Sequence, residues 1–194
     1  MWAAGNDRND SGDGSRNPDG PDDNIGPEGV AKNAITVGAV SSVIDYAGPQ
    51  SVAISSFSSV GPVDDGRIKP DVVAMGVNVF SSAIADGGAT DSYASLSGTS
   101  MASPNVTGSL LLLQQLYSNR NSGRYMWAST LKALMINTTR EAGPNPGPDY
   151  SYGWGLLDTK DAAEIIINEN GSSDVIREER LVQGGKFENE FTSD

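Results

Sequence analysis

The chain is 194 residues long, enough for about one domain at roughly 100–200 residues each, and it is 37% hydrophobic. Its 23 Gly and 10 Pro indicate many turns and ordered loops rather than a helical bundle or coiled coil, and a formal charge of −12 disfavours nucleic acid as a partner. With no Cys there is no disulfide, thiolate metal site or Cys nucleophile, and with no His any chemistry needing an imidazole must take it from outside these residues.

In chain order, Trp2-Ala3-Ala4 reads as the tail of a buried strand running into a Gly-Asn turn. Residues 6–24 follow, crowded with Asp, Gly, Asn and Pro, and read as a surface loop. The run from Ala34 to Val40 is β-branched and suits a buried strand. Further strands are expected at Val52 to Ser55, Val72 to Ala74, Val77 to Ser82 and Tyr93 to Leu96. Thr99 or Ser100 is expected to cap a helix reaching about Tyr117, with Pro104 tolerated in its first turn. Ser129 is expected to cap a second helix, and Asp158 or Thr159 a third, through Ala162, Ala163, Ile166 and Ile167. This order predicts an α/β architecture with a mostly parallel sheet. The apolar run near Val106 to Leu113 falls far short of the ~18 residues of a membrane span, so no membrane is expected as a partner.

Residues 97–104 read S-G-T-S-M-A-S-P. A Ser at a helix N-terminus has its hydroxyl beside unpaired N–H groups and the positive end of the helix dipole. That setting favours negative charge developing on a substrate oxygen, as acyl transfer requires. From position alone, a Ser that only caps the helix is the better reading. Asn6 is open to two readings in the same way: an ordinary Gly-Asn turn, or a side-chain amide with N–H donors to offer.

G-T-S-M-A-S-P followed by N-V-T-G resembles the nucleophile motif of the subtilisin-like serine proteases, the subtilases. Ala3-Ala4-Gly5-Asn6 resembles the family's A-A-G-N segment, and Phe57 to Gly76 its F-S-S-x-G-P…K-P-D-V-x-A-P-G block. G-V-A-K-N-A-I-T-V-G-A and Tyr152 to Asp158 also fit, in the same order. The resemblance covers about residues 1–170 and implies the C-terminal part of a subtilisin-like three-layer catalytic domain. It further implies Ser100 as nucleophile, Asn6 as oxyanion donor and Ala3, Ala4 and Gly5 as a substrate-binding wall, for a polypeptide substrate. In this family the triad runs Asp, His, Ser, so both partners of Ser100 would lie upstream. These residues alone are then expected to be inactive, and a half sheet leaves an exposed edge. Residues 171–194 are expected to form a linker and the first strand of a further β-sandwich domain. The family also implies an extracellular or cell-surface location.

Three positions depart from the family pattern: Met75 where Pro is usual, Val60 for a frequent Arg, and Asn105 where His is common outside the triad. No cofactor is required. By the same resemblance the acidic loop, with Asp10, Asp13 and Asp22, is a candidate for a structural Ca²⁺, although its spacing misses the D-x-[DN]-x-[DN]-G pattern and a solvated acidic loop is the better account of it. The rival readings are a non-catalytic subtilase-like binding or scaffold module, and a Ca²⁺-binding structural module.

Overall fold

The computed structural model describes residues 1–9, 22–84, 91–169, 175–188 and 190. Three short strands, β1 (Trp2–Ala3), β2 (Thr36–Val40) and β3 (Val72–Met75), form a parallel sheet in that order. Every residue of β2 is buried, because the sheet is covered on both faces. On one face Val37, Ala39, Val72 and Ala74 meet three helices: α1 (Thr99–Arg120), α2 (Ala128–Asn137) and α3 (Thr159–Asn168). On the other, Val40 and Val73 meet Val52, Ala142 and Tyr152, supplied by loops. The expected α/β class and parallel sheet are therefore present.

Helix α1 is the keystone of the first layer. Ala102, Val106, Leu110, Leu113 and Tyr117 recur at spacings of three or four and form one buried stripe against the sheet. Pro104 sits beyond the first turn, and its missing N–H leaves the Ser100 carbonyl without its usual i+4 donor.

Local expectations were met where local chemistry decided them. Asp158 caps α3, its Oδ1 accepting from Lys160 N and Asp161 N at 2.9 and 3.0 Å. Helix α1 instead begins after Gly98, because the Thr99 hydroxyl is engaged elsewhere. Helix α2 begins after Trp127 rather than at Ser129, and the Trp127 N–H is held by the Glu178 carboxylate at 2.7 Å. Val52 to Ser55 makes a single antiparallel bridge, Ile54 to Val40, and not a strand; it follows a 3₁₀ turn at Pro49–Ser51. A separate antiparallel ribbon pairs β4 (Val79–Ser82) with β5 (Tyr93–Leu96). It starts at Val79 rather than Val77, since Asn78 takes φ 53°.

At the amino ends of β2 and β3 lies a buried ionic cluster. Lys69 Nζ donates to Asp71 Oδ2 (2.6 Å), Ala34 O (2.8 Å) and Thr36 Oγ1 (3.2 Å). Asp71 Oδ2 also accepts from Thr36 N (2.7 Å), and Lys132 pairs with Oδ1 at 2.7 Å. Burial pushes the Lys69 ammonium below its ordinary pKa, against the opposing pull of Asp71.

Beyond α3, Ile176 packs on the main core and residues 179–188 are exposed without forming a strand. The open edge of β1 has no strand beside it among the described residues.

Candidate active site

Where the parallel strands end, β1 passes through Ala4 and Gly5 to Asn6, and β3 passes to Gly76. Gly98 N donates to Gly76 O at 2.8 Å, which anchors the start of α1 at the carboxyl end of β3. Ligand sites of open α/β sheets lie at this end of the strands.

The loop after β1 is pinned from two sides. Gly5 O accepts from Ser59 N (2.9 Å), and Asp7 N donates to Ser59 Oγ (3.1 Å). Gly5 itself has φ 115°, and a Cβ there would fall 2.7 Å from Ser59 Oγ, so a side chain is excluded twice over. From the other side Thr99, fully buried, takes hold of both Gly5 and Asn6. Its Oγ1 accepts from Gly5 N (3.2 Å) and donates to Asn6 Oδ1 (3.1 Å), while its own N–H donates to the same Oδ1 (3.0 Å).

With Oδ1 held by two donors, the Asn6 carboxamide can only present Nδ2 outward. Nδ2 has no acceptor among the described residues, and neither has the backbone N–H of Ser100. Gly98 shows what lies between them. A Cβ built on it would sit 3.6 Å from Asn6 Nδ2, 3.6 Å from Met101 Sδ and 3.7 Å from Ser100 N. One small unfilled space is therefore shared by two unpaired N–H donors. Gly98 takes φ 157° and ψ 161°, a conformation essentially reserved for glycine, and so leaves that space open.

The Ser100 side chain is exposed beside this space, and its hydroxyl has no partner among the described residues. No acidic residue occupies the first turn of α1, so the positive end of a 22-residue helix is left uncompensated. The arrangement can accept a carbonyl oxygen and stabilise it as it gains negative charge.

Of the sequence-derived residues, Asn6 and Ser100 come together around one space, and Ala3, Ala4 and Gly5 form the chain leading to it. Asp22 is exposed, and Asp10 and Asp13 lie outside the described residues, among which no group of three acidic side chains converges. Lys69 sits at the opposite end of the strands with its ammonium fully engaged. Sequence reasoning missed Thr99 and Ser59 as organisers, although both stand inside the motifs already noted, S-G-T-S and F-S-S. A cavity of about 670 Å³ between α2, α3 and Val175–Arg177 includes none of these residues.

A parallel α/β sheet with a serine and two convergent N–H donors at its carboxyl edge is an arrangement chemically suited to an anionic oxygen. The Subtilase family model matches residues 1–155, and the chain belongs to that family. It is 36% identical over 180 residues to pyrolysin of Pyrococcus furiosus, covering 80% of this chain and 12% of that protein. It is 34% identical over 139 residues to the PII-type proteinase of Lactococcus lactis subsp. cremoris, covering 64% of this chain and 7% of that one. Among solved structures it resembles the Clostridium perfringens CspB protease, with TM-score 0.61 and 27% identity over 76% of this chain and 30% of that one. The prenylagaramide maturation protease PagA gives TM-score 0.58 and 25% identity, over 84% and 48% of the two chains. The chain thus spans well under two thirds of the length of these four proteins.

Proposed function

We propose that these residues carry the nucleophile and oxyanion site of a serine endopeptidase. The Ser100 hydroxyl attacks the carbonyl carbon of a peptide bond, the carbonyl oxygen moves into the space beside Gly98, and Asn6 Nδ2 and Ser100 N–H hold it as an oxyanion. Collapse of the tetrahedral intermediate expels the amine and leaves an ester on Ser100, which water then hydrolyses. A general base must take the hydroxyl proton and pass it to the leaving amine. With no His among the 194 residues, the imidazole and the carboxylate that orients it come from outside them. The wall formed by Ala3, Ala4 and Gly5 receives the acyl half of the substrate. We place the activity outside the cell, and allow the acidic loop a structural Ca²⁺.

The observation that supports this reading best is the open space shared by Asn6 Nδ2 and Ser100 N. A fluorophosphonate probe tests it, applied to the longer protein that contains these residues. Labelling of the parent, lost in Ser100→Ala and absent from the 194-residue chain alone, supports the proposal. A longer protein that folds but takes no label favours the second reading, a subtilase-like binding module, for which the zero histidine count is the one specific observation.

A further inference from the structure

The β4–β5 ribbon carries two aromatic side chains that the core does not use. Its register pairs Phe80 with Ser95 and Ser82 with Tyr93. Alternation along each strand therefore puts Phe80, Ser82, Tyr93 and Ser95 on one face, with Phe80 and Tyr93 as diagonal neighbours. The two rings stack, centroids 5.6 Å apart and planes 19° from parallel. Even so, Phe80 is 70% and Tyr93 63% exposed. No other named element packs closely on either strand. Rings held by one another, and not by a core, make an apolar platform whose outer surface is still in water. Such side chains suit recognition, because ordering them on binding costs little entropy.

The ribbon is also tied to the candidate active site at its base. Asn78 N donates to Ser97 Oγ at 2.9 Å, joining the start of β4 to the end of β5. Gly98 N is fixed to Gly76 O, and Ser100 follows two residues later. The platform and the nucleophile thus share one short, doubly anchored stretch of chain. Tyr93 stands about seven residues before Ser100, which at about 3.3 Å per residue sets an upper limit of about 23 Å between them.

We propose that the Phe80–Tyr93 face binds an apolar or aromatic side chain of the polypeptide substrate, on the side that leaves as the amine. The inference rests on the endopeptidase reading. There, the oxyanion space lies between Asn6, at the end of Ala3–Gly5, and Gly98–Met101, which follow directly on the ribbon. With the acyl half against Ala3–Gly5, the amine half runs out over the ribbon. The reach given above places the recognised side chain within about seven residues beyond the cleaved bond.

The test compares two substrate types on the longer protein and on its Phe80→Ser/Tyr93→Ser variant. One is a peptide p-nitroanilide, whose leaving group carries no residue beyond the cleaved bond. The others are matched long peptides, with Phe or Ser placed in turn at the third to seventh residue beyond the cleaved bond. The expected result is equal nitroanilide hydrolysis by both proteins, which also shows that the variant folds. At one of those positions the parent should prefer Phe over Ser by about tenfold in kcat/KM, and the variant should lose that preference. Equal nitroanilide hydrolysis with no Phe preference in the parent, or with an undiminished one in the variant, overturns this proposal alone. No nitroanilide hydrolysis by the parent overturns the endopeptidase reading, and this proposal with it. Sedimentation showing a dimer of the parent that the variant lacks would assign the platform to a second copy and also overturn it.

Discussion

Exchanging Thr99 for Val tests whether Asn6 is held ready for an oxyanion. The change preserves the shape of a fully buried side chain and deletes one hydroxyl. Two hydrogen bonds go with it, to Asn6 Oδ1 at 3.1 Å and from Gly5 N at 3.2 Å. At about 1 kcal/mol each, the folded state should lose about 2 kcal/mol. The effect on turnover is separable from that loss. Removing an oxyanion donor outright costs about 2.7–4 kcal/mol of barrier, a magnitude that comes from a subtilisin itself and is not independent of the family. Thr99→Val leaves the donor in place, with Oδ1 still held by Thr99 N at 3.0 Å, so only its orientation loosens. A cost of about 1.4 kcal/mol, or tenfold in kcat, is the expectation, with KM nearly unchanged because the donor acts on developing charge. The assay is steady-state hydrolysis of a peptide nitroanilide by the longer protein, with kcat and KM resolved. Thr99→Ser, which keeps the hydroxyl, should recover most of the rate. In an Asn6→Leu background, itself expected to lower kcat far more than it raises KM, the Thr99→Val change should add almost nothing. A full tenfold loss in that background, or an effect confined to KM, would refute the reasoning.

Two further expectations concern the frame around the site. Asp71→Ala strips the counter-charge from Lys69 and the acceptor from Thr36 N in a buried setting; a loss of about 3–5 kcal/mol is expected in denaturant titrations, and a loss below about 1 kcal/mol would show that water reaches the cluster. At Asp158 burial raises the carboxyl pKa, but the Asp161 and Lys160 N–H groups and the Arg140 guanidinium outweigh it and hold it below the ordinary 3.8. A depressed folded pKa contributes stability that is present above the unfolded value and lost as pH falls through the folded one. The stability difference between the parent and Asp158→Asn should therefore be constant from about pH 5 to 7 and shrink below about pH 4; a difference that does not change between pH 3 and 7 would contradict the ionic role.

What could be read in the sequence was what the chain decides locally. The cap of α3 was legible because Asp158 bonds to N–H groups two and three residues on. The buried strands were legible from their β-branched runs, and the two residues that meet beside Gly98 from motifs at Asn6 and Ser100. The start of α1 was not, because the Thr99 hydroxyl, a good cap in isolation, is drawn to partners 93 and 94 residues away. The same limit hid the cluster at Lys69. Lys-Pro-Asp shows two of its charges side by side, but Lys132 joins only once α2 is packed. At Val52 to Ser55 the pattern was right for a buried segment and wrong for a strand. Those residues are committed to the second apolar cluster, with Tyr152 Oη accepting from Ile54 N.

Strand direction explains why these features do not interfere with one another. Because β1, β2 and β3 are parallel, all of their carboxyl ends fall on one edge of the sheet and all of their amino ends on the other. The buried charges, Lys69 and Asp71 with Lys132, occupy the amino edge, where the Thr36 and Asp71 backbones begin the strands. At the carboxyl edge the groups facing the space beside Gly98 are neutral donors, Asn6 Nδ2, Ser100 N and the unopposed end of α1, while the exposed Asp7 carboxylate lies by Gly5. A carboxylate inside the space beside Gly98 would repel a developing oxyanion, and an ammonium ion-paired there would already be satisfied. Placing the ions at the far ends of the same short strands stabilises the sheet without spending its electrostatics at the site. The cost of the proposed oxyanion site is then confined to the two N–H groups left unpaired around Gly98, both of which a substrate carbonyl bound there would satisfy.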